Sequence, residues 1–114
     1  MDAKLVKEIT LLHDQVCDAL SNPLRLLILY SLADQPRYVT DLADDLGVPQ
    51  SSVSRHLKVL RDRGLVSPRR EGMSVYYELT DRRVIQSLDL LRGIMTDRVR
   101  RHAEITGASD SAAL

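Results

Sequence analysis

The sequence predicts a mainly α-helical domain with one small β-hairpin, in the order helix, helix, helix, helix, strand, strand, helix. Apolar residues recur at helical spacing in several segments, and two short segments with strand-like alternation flank a glycine-containing turn. The chain has 114 residues and one cysteine, which suits one modest core without a disulfide framework. We therefore expect a single domain over residues 1–106 and a disordered tail over residues 107–114.

The first two helices follow from an apolar stripe and a capping signal. A helix is predicted from about Asp2 to Leu20, because its apolar residues line one face: Leu5, Ile9, Leu12, Val16 and Leu20. The second helix begins with Asn22 as N-cap and Pro23 at the first helical position, where a missing N–H costs nothing.

The next two helices are short and closely spaced. Thr40 is predicted to cap the third helix, and Gly47 to end it. The fourth runs from about Gln50 to Arg63, with Gly64 as its C′ residue and an apolar face made of Val53, Leu57 and Leu60. Two helices joined by about three residues, the second amphipathic and basic, are typical of a helix-turn-helix.

A hairpin and a long helix follow. The strands are predicted at Leu65–Arg70 and Ser74–Leu79, with residues 71–73 at the turn. Thr80 is then expected to cap a last helix from about Asp81 to Ile105. Its apolar stripe consists of Val84, Leu88, Leu91, Met95 and Val99.

The zero net charge conceals an uneven distribution. Residues 1–49 hold four Lys/Arg and eight Asp/Glu, whereas residues 50–70, the basic segment, hold six Lys/Arg and one Asp. Residues 71–114 hold six basic and seven acidic residues. A basic segment between acidic flanks favours a polyanion-binding face, and the alternative is an ordinary solvated helix face.

On a helical projection, the polar side of the fourth helix carries short hydroxyls and cations. An arginine such as Arg55 can hold guanine O6 and N7 by two hydrogen bonds, worth roughly 1–3 kcal/mol of discrimination. His56 lies at the edge of the apolar stripe. We therefore expect its ring mainly to pack against neighbouring residues and at most to contact a phosphate as well. Arg61 and Arg63 are flanking and are expected to contact backbone or solvent. The predicted DNA-binding residues are Gln50, Ser51, Ser52, Ser54, Arg55, His56, Lys58, Arg69 and Arg70.

The chain resembles the ArsR-type (ArsR/SmtB) winged-helix repressors in three stretches: "ALSNPLRLLILYSL", "DLADDLGVPQSSVSRHLKVLRDRGLV" and "RREGMSVYYEL". The resemblance covers about residues 17–79. It implies a winged helix-turn-helix homodimer, paired through its first and last helices and bound to a palindromic double-stranded DNA operator. It also implies repression that an effector relieves, commonly a metal, a metalloid or a thiol oxidant.

The dimer has support in the residues themselves. The last helix is longer than so small a core needs, and its apolar face extends to His102. A long apolar stripe on this helix, matched by one on the first, favours burial against a partner chain. The alternative is that both stripes pack within one chain.

The metal-ligand sets of the family are largely missing. Where relatives carry a Cys-x-Cys pair before the residues "DL" of the third helix, this chain has Tyr38 and Thr40. The family's last-helix ligand pattern falls on Asp89, Leu91, His102 and Ile105 in this chain. Only Asp89 and His102 have side chains that can bind a metal. Two ligands are too few for a closed tetrahedral zinc site.

One alternative metal site is open. His13 and Cys17 are four residues apart on the first helix, and in the implied dimer the partner's His102 or Glu104 could approach them. Such a mixed site would suit zinc or nickel. The competing interpretation has Cys17 as a small buried hydrophobe and His13 at the edge of the interface.

Other function classes lack support. The sequence has no phosphate-binding glycine loop, HExxH motif or nucleophile elbow, so we do not expect an enzyme. It has no apolar run of membrane-spanning length and no signal-peptide pattern, which leads us to expect a cytoplasmic protein. The remaining alternatives are a winged-helix protein–protein interaction module and a constitutive DNA binder without a metal effector.

Overall fold

A computed structural model describes residues 1–106, which fall into two compact units divided between Arg82 and Arg83. The residues predicted as a disordered tail, 107–114, lie outside the described residues. The first unit contains α1 (Ala3–Leu12), α2 (Pro23–Ser31), β1 (Arg37–Tyr38), α3 (Val39–Leu46), α4 (Gln50–Asp62), β2 (Val66–Glu71) and β3 (Ser74–Leu79). The second contains α5 (Arg83–Thr106). The prediction of one domain over residues 1–106 stays a prediction.

The first helix does not continue regularly to Leu20 as the sequence predicted. Asp2 caps α1 by accepting a hydrogen bond from the Lys4 amide at 3.1 Å. After Leu12 the chain widens into a single π-helical turn, His13–Cys17, closed by a 3.0 Å bond from the Asp18 amide to the His13 carbonyl. This turn reaches five residues back rather than four, a difference that apolar periodicity does not reveal.

The capping predictions for α2 and α3 have different outcomes. The Asn22 side chain accepts hydrogen bonds from the amides of Leu24 and Arg25 at 2.8 and 3.2 Å, which confirms it as the N-cap of α2. The prediction for Thr40 is wrong, because α3 already begins at Val39 and its N-cap makes no side-chain hydrogen bond. Gly47 ends α3 in the left-handed conformation, as predicted, with φ 66°.

The core of the first unit forms around α4. Val53, Leu57 and Leu60 are fully buried, so the apolar face predicted for this helix is confirmed. Gly64 follows α4 with φ 76°, a conformation that costs glycine little and lets the chain enter β2 directly. The other buried apolar residues of this unit are Ala19, Ile28, Leu29, Leu32, Leu42, Ala43 and Val66.

The sheet has three strands in the order β1-β3-β2, one more than the sequence predicted. β2 and β3 form the expected antiparallel hairpin, with Gly72 and Met73 at the turn, while Glu71 belongs to β2 rather than to the turn. The additional strand, β1, has only two residues and pairs antiparallel with β3. There Tyr38 lies opposite Tyr76, their ring centroids 5.8 Å apart and edge to face. Two residues are too few to show a strand pattern in the sequence.

The last helix begins two residues later than predicted. α5 starts at Arg83, so Thr80 lies three residues before its first residue and is not its N-cap. The Thr80 hydroxyl donates to the Gly64 carbonyl at 2.6 Å. The predicted apolar stripe is exposed along its middle, where Leu91 is 60% and Met95 46% exposed. In the part of the chain that the structure describes, no helix is both long and apolar enough to cross a membrane.

Candidate nucleic-acid interface

The N-terminus of α4 has open backbone donors. Its N-cap is Pro49, which offers no side-chain acceptor, and the first turn contains no acidic residue. The amides of Ser52 and Val53 donate to the Pro49 carbonyl at 3.0 and 3.3 Å. The amides of Gln50 and Ser51 have no acceptor within residues 1–106. The helix dipole and these donors together favour an anion at this end.

The exposed face of α4 carries most of the residues predicted to bind DNA. Arg55 is exposed and makes no hydrogen bond or ion pair within residues 1–106, so its five guanidinium donors are available. Ser52 is half-buried at the margin of this face. The other exposed members are Gln50, Ser51, Ser54 and Lys58. The structure brings these six residues together on one side of the helix, and DNA contact by them stays a prediction.

Two of the predicted DNA-binding cations already have acidic partners. Lys58 Nζ lies 3.0 Å from Asp62 Oδ2, one helical turn away. Arg69 Nη1 lies 3.0 Å from Glu78 Oε1 on the neighbouring strand, and this hydrogen bond and charge raise the pKa of Arg69. Arg70, next along β2, is exposed and has no such partner in the described residues. Arg55 and Arg70 are therefore the cations of this set most available to a phosphate or a base.

His56 connects α4 to α2. Its ring is half-buried, and Nδ1 lies 3.3 Å from Arg25 Nη1. Burial lowers the pKa of His56, and the charges of Arg25 and Arg55 lower the pKa further. A neutral ring can accept the arginine's hydrogen bond at Nδ1, whereas a protonated ring could not. The structure thus places the His56 ring against Arg25 of α2, and a phosphate contact by His56 stays a prediction.

Arg63 has a role that the sequence did not predict. Its Nη1 donates to the carbonyls of Asp14 and Gln15. Its Nη2 lies 3.1 Å from Asp18 Oδ2. The acceptors are more than forty positions away in the chain, the farthest being 49. No local sequence pattern could have indicated this contact.

The weak metal candidates do not converge within one chain. His13 Nδ1 lies 3.0 Å from the Asp14 carboxylate, and Cys17 is exposed, so its interpretation as a buried hydrophobe is wrong for the single chain. Asp89, His102 and Glu104 are carried by α5. Among residues 1–106, no three His, Cys, Asp or Glu side chains are grouped closely enough to hold a metal ion. A site completed by a partner subunit stays a prediction.

A basic helix-turn-helix followed by a β-hairpin defines a domain of the winged helix-turn-helix class. The family model for bacterial regulatory proteins of the arsR family matches residues 22–67. The chain belongs to this arsR family, as the sequence resemblance implied.

Individual relatives support the assignment. The chain is 51% identical over 71 residues to the transcriptional regulator NmtR of Mycobacterium tuberculosis, a match that covers 62% of this chain and 59% of the relative. The solved structure of NolR from Sinorhizobium fredii is 33% identical with a TM-score of 0.70, covering 96% and 97% of the two chains. A homodimeric winged helix-turn-helix DNA-binding domain from Mycobacterium bovis is 28% identical with a TM-score of 0.75, covering 90% and 94%.

Proposed function

We propose that this protein is a sequence-specific DNA-binding transcriptional repressor that acts as a homodimer in the cytoplasm. One observation carries the proposal. Arg55 is exposed and unpaired within the described residues, on a helix whose opposite face is fully buried and whose N-terminal amides are open. A helix that is fixed on one side and offers donors on the other suits the major groove of DNA.

The proposed DNA contacts are of two kinds, those to phosphates and those to bases. The amides of Gln50 and Ser51 and the hydroxyls beside them can bind phosphate oxygens, which positions the helix without reading sequence. Arg55 can bind guanine O6 and N7 by two hydrogen bonds, which does read sequence. Arg70 on the hairpin is available for a phosphate or for the adjacent minor groove.

Exposed apolar surface supports the homodimer. No residue of α1 is buried, and Leu5, Ile9 and Leu12 of its predicted stripe are all exposed. In α5, Leu91, Ile94 and Met95 are 60%, 63% and 46% exposed. Helix faces of this kind are normally covered by a partner. We infer that α1 and α5 pair two copies, so that two α4 helices enter successive major grooves of a palindromic operator.

The effector would act at these same helices. We propose that a metal ion or a thiol-directed signal at the α1/α5 interface releases the DNA. The candidate groups are His13 and Cys17, together with Asp89, His102 and Glu104 on α5. The thiol of Cys17 and the ring of His13 would suit zinc or nickel.

Selection from a random duplex library tests the function directly. We expect the protein to enrich a palindromic sequence, and its affinity to fall steeply with salt. The selection is repeated with Zn(II), Ni(II), arsenite and a thiol oxidant to identify the effector class. Identical enrichment in every condition would indicate either an effector of another kind or a constitutive binder, and no enrichment at all would favour a protein–protein interaction module.

A pair of variants separates base reading from general charge. Arg55→Ala should lose nearly all sequence preference, because it removes the proposed guanine contact. Arg61→Ala removes one cation from the same helix, but Arg61 lies about 120° around the helix from Arg55. It should therefore keep the sequence preference and lose only modest affinity. Wild-type preference in Arg55→Ala would refute the groove assignment.

The dimer is tested by placing a charge on the exposed stripe of α5. Leu91→Glu should produce monomers in sedimentation equilibrium and weaken DNA binding, because a carboxylate would be buried at the interface. Gln86→Glu adds the same charge on the opposite side of α5, where the residue is exposed, and should remain dimeric. A dimeric Leu91→Glu variant would show that this stripe lies outside the interface.

A further inference from the structure

The end of the first helix is fastened to α4 by arginine side chains. The π-helical turn His13–Cys17 and the residues after it direct several carbonyl oxygens towards two guanidinium groups. Arg63, the C-cap of α4, donates to the carbonyls of Asp14 and Gln15 and pairs with the Asp18 carboxylate at 3.1 Å. We refer to this set of contacts as the Arg63 junction.

A second connection joins the same region to the middle of α4. Arg25 Nε donates to the Ala19 carbonyl at 2.7 Å, and its Nη2 lies 3.4 Å from the Asp18 carbonyl. Its Nη1 lies 3.3 Å from His56 Nδ1. Two points along α4, one in its middle and one at its end, are thus linked to the π-helical turn and the residues that follow it.

Arg63 differs from the other cations of the basic segment. Its side chain is 29% exposed, compared with 66% for Lys58 and 58% for Arg69. Both terminal nitrogens of its guanidinium already have acceptors in the same chain. With these donors occupied, Arg63 has little capacity left to bind a phosphate, although its position in the sequence suggests a DNA contact.

We propose that Arg63 is a positioning residue, which sets the orientation of α4 for DNA through Asp18 and the π-helical turn and does not itself contact DNA. The proposal rests on the DNA-binding function proposed above. The forked guanidinium is essential to it, because one group must reach two carbonyls and a carboxylate at once. A lysine ammonium, which lacks that planar fork, cannot reproduce this geometry. The first helix and the DNA-binding helix are consequently coupled in their positions.

The first test separates the effect of the charge at position 63 from the effect of the guanidinium geometry. Affinity for the selected duplex is measured by fluorescence anisotropy over a salt series, at protein concentrations where sedimentation shows dimers. Arg63→Lys keeps the charge, and we expect about 3- to 30-fold weaker binding at every salt concentration, the usual range for a coupling residue. The slope of log affinity against log salt should match wild type, because no phosphate contact is lost.

A substitution at Asp18 provides a second test, in which electrostatics and the proposal predict opposite changes in DNA affinity. Asp18→Asn removes a negative charge, so electrostatics alone would tighten DNA binding. The proposal predicts weaker binding, because Arg63 loses its carboxylate. The double variant Asp18→Asn/Arg63→Lys should bind about as weakly as the weaker single variant, since both changes break the same junction. Thermal unfolding of each variant gives the folded fraction, and affinities are compared for folded protein only.

The outcomes separate this inference from the function on which it rests. If wild type binds a selected duplex but Arg63→Lys keeps wild-type affinity, or Asp18→Asn binds more tightly, only the positioning role is overturned. A salt slope reduced by about one in Arg63→Gln, which removes the charge, would instead identify Arg63 as a phosphate contact. If wild type enriches no duplex, the proposed function fails, and the positioning role fails with it.

Discussion

Arg69 of β2 and Glu78 of β3 form an ion pair across the hairpin, with Nη1 3.0 Å from Oε1. Arg69 is followed on β2 by Arg70, which has no such partner among the described residues. The hairpin therefore offers one unpaired arginine where the sequence suggested two. Together with the Lys58–Asp62 pair, this reduces the positive charge that α4 and the hairpin present outward.

Releasing Arg69 should strengthen DNA binding. Glu78→Gln removes the carboxylate that pairs with Arg69, so we expect affinity to rise by about 2- to 5-fold and the salt slope to steepen, as for one added phosphate contact. Glu71→Gln makes the same charge change at an exposed position on the same hairpin and serves as the control. An equal gain in Glu71→Gln would assign the effect to overall charge. The measurement is anisotropy over a salt series.

The buried face of α4 should dominate the stability of the first unit. Leu57 is fully buried, and Leu57→Ala should lower the free energy of unfolding by about 2–5 kcal/mol through lost burial and a cavity. Ser54→Ala, at an exposed position on the same helix, should change it by less than about 1 kcal/mol. Urea unfolding of the two variants at one protein concentration measures the difference. Similar losses would mean that Leu57 is not a core residue.

Stability should depend on the protonation of His56. Its folded-state pKa lies below the ordinary value of 6.5, so the unfolded state binds the proton more readily. The contribution of His56 is therefore fully present above pH 6.5 and is lost as the pH falls through the folded-state pKa. Urea unfolding from pH 8 to pH 5 should show a shallower decline in His56→Gln than in wild type. Parallel declines would exclude this group as the cause.

Gly64 should tolerate asparagine better than alanine. With φ 76°, a Cβ at this position strains the backbone by about 1–2 kcal/mol, although nothing lies within 4 Å of it. Asparagine adopts this left-handed conformation more readily than alanine. We expect Gly64→Ala to lower the thermal midpoint more than Gly64→Asn does. The reverse order would mean that the backbone here relaxes out of the left-handed region.

Local patterns predicted the parts of the fold that depend on neighbours in the chain. Asn22 and Pro23 marked the start of α2, because a cap and an N-terminal proline act within one turn. The spacing of Val53, Leu57 and Leu60 identified the buried face of α4. Thr40 and Thr80 failed as caps, since the same residue type can bond elsewhere, as the Thr80 hydroxyl does with the Gly64 carbonyl.

The sequence by itself determined the helix-turn-helix, the hairpin and the face of α4 that points outward, because periodicity and capping act over a few residues. Only the tertiary structure decided which cations remain available. Arg55, Arg63 and Arg69 look alike in the sequence, yet one is free within the described residues, one holds the π-helical turn and one pairs with Glu78. Long arginine side chains take their partners from whatever the fold brings near, here acceptors up to 49 positions away. A basic segment therefore predicts where an anion could bind, and the folded chain selects the residues left to bind it.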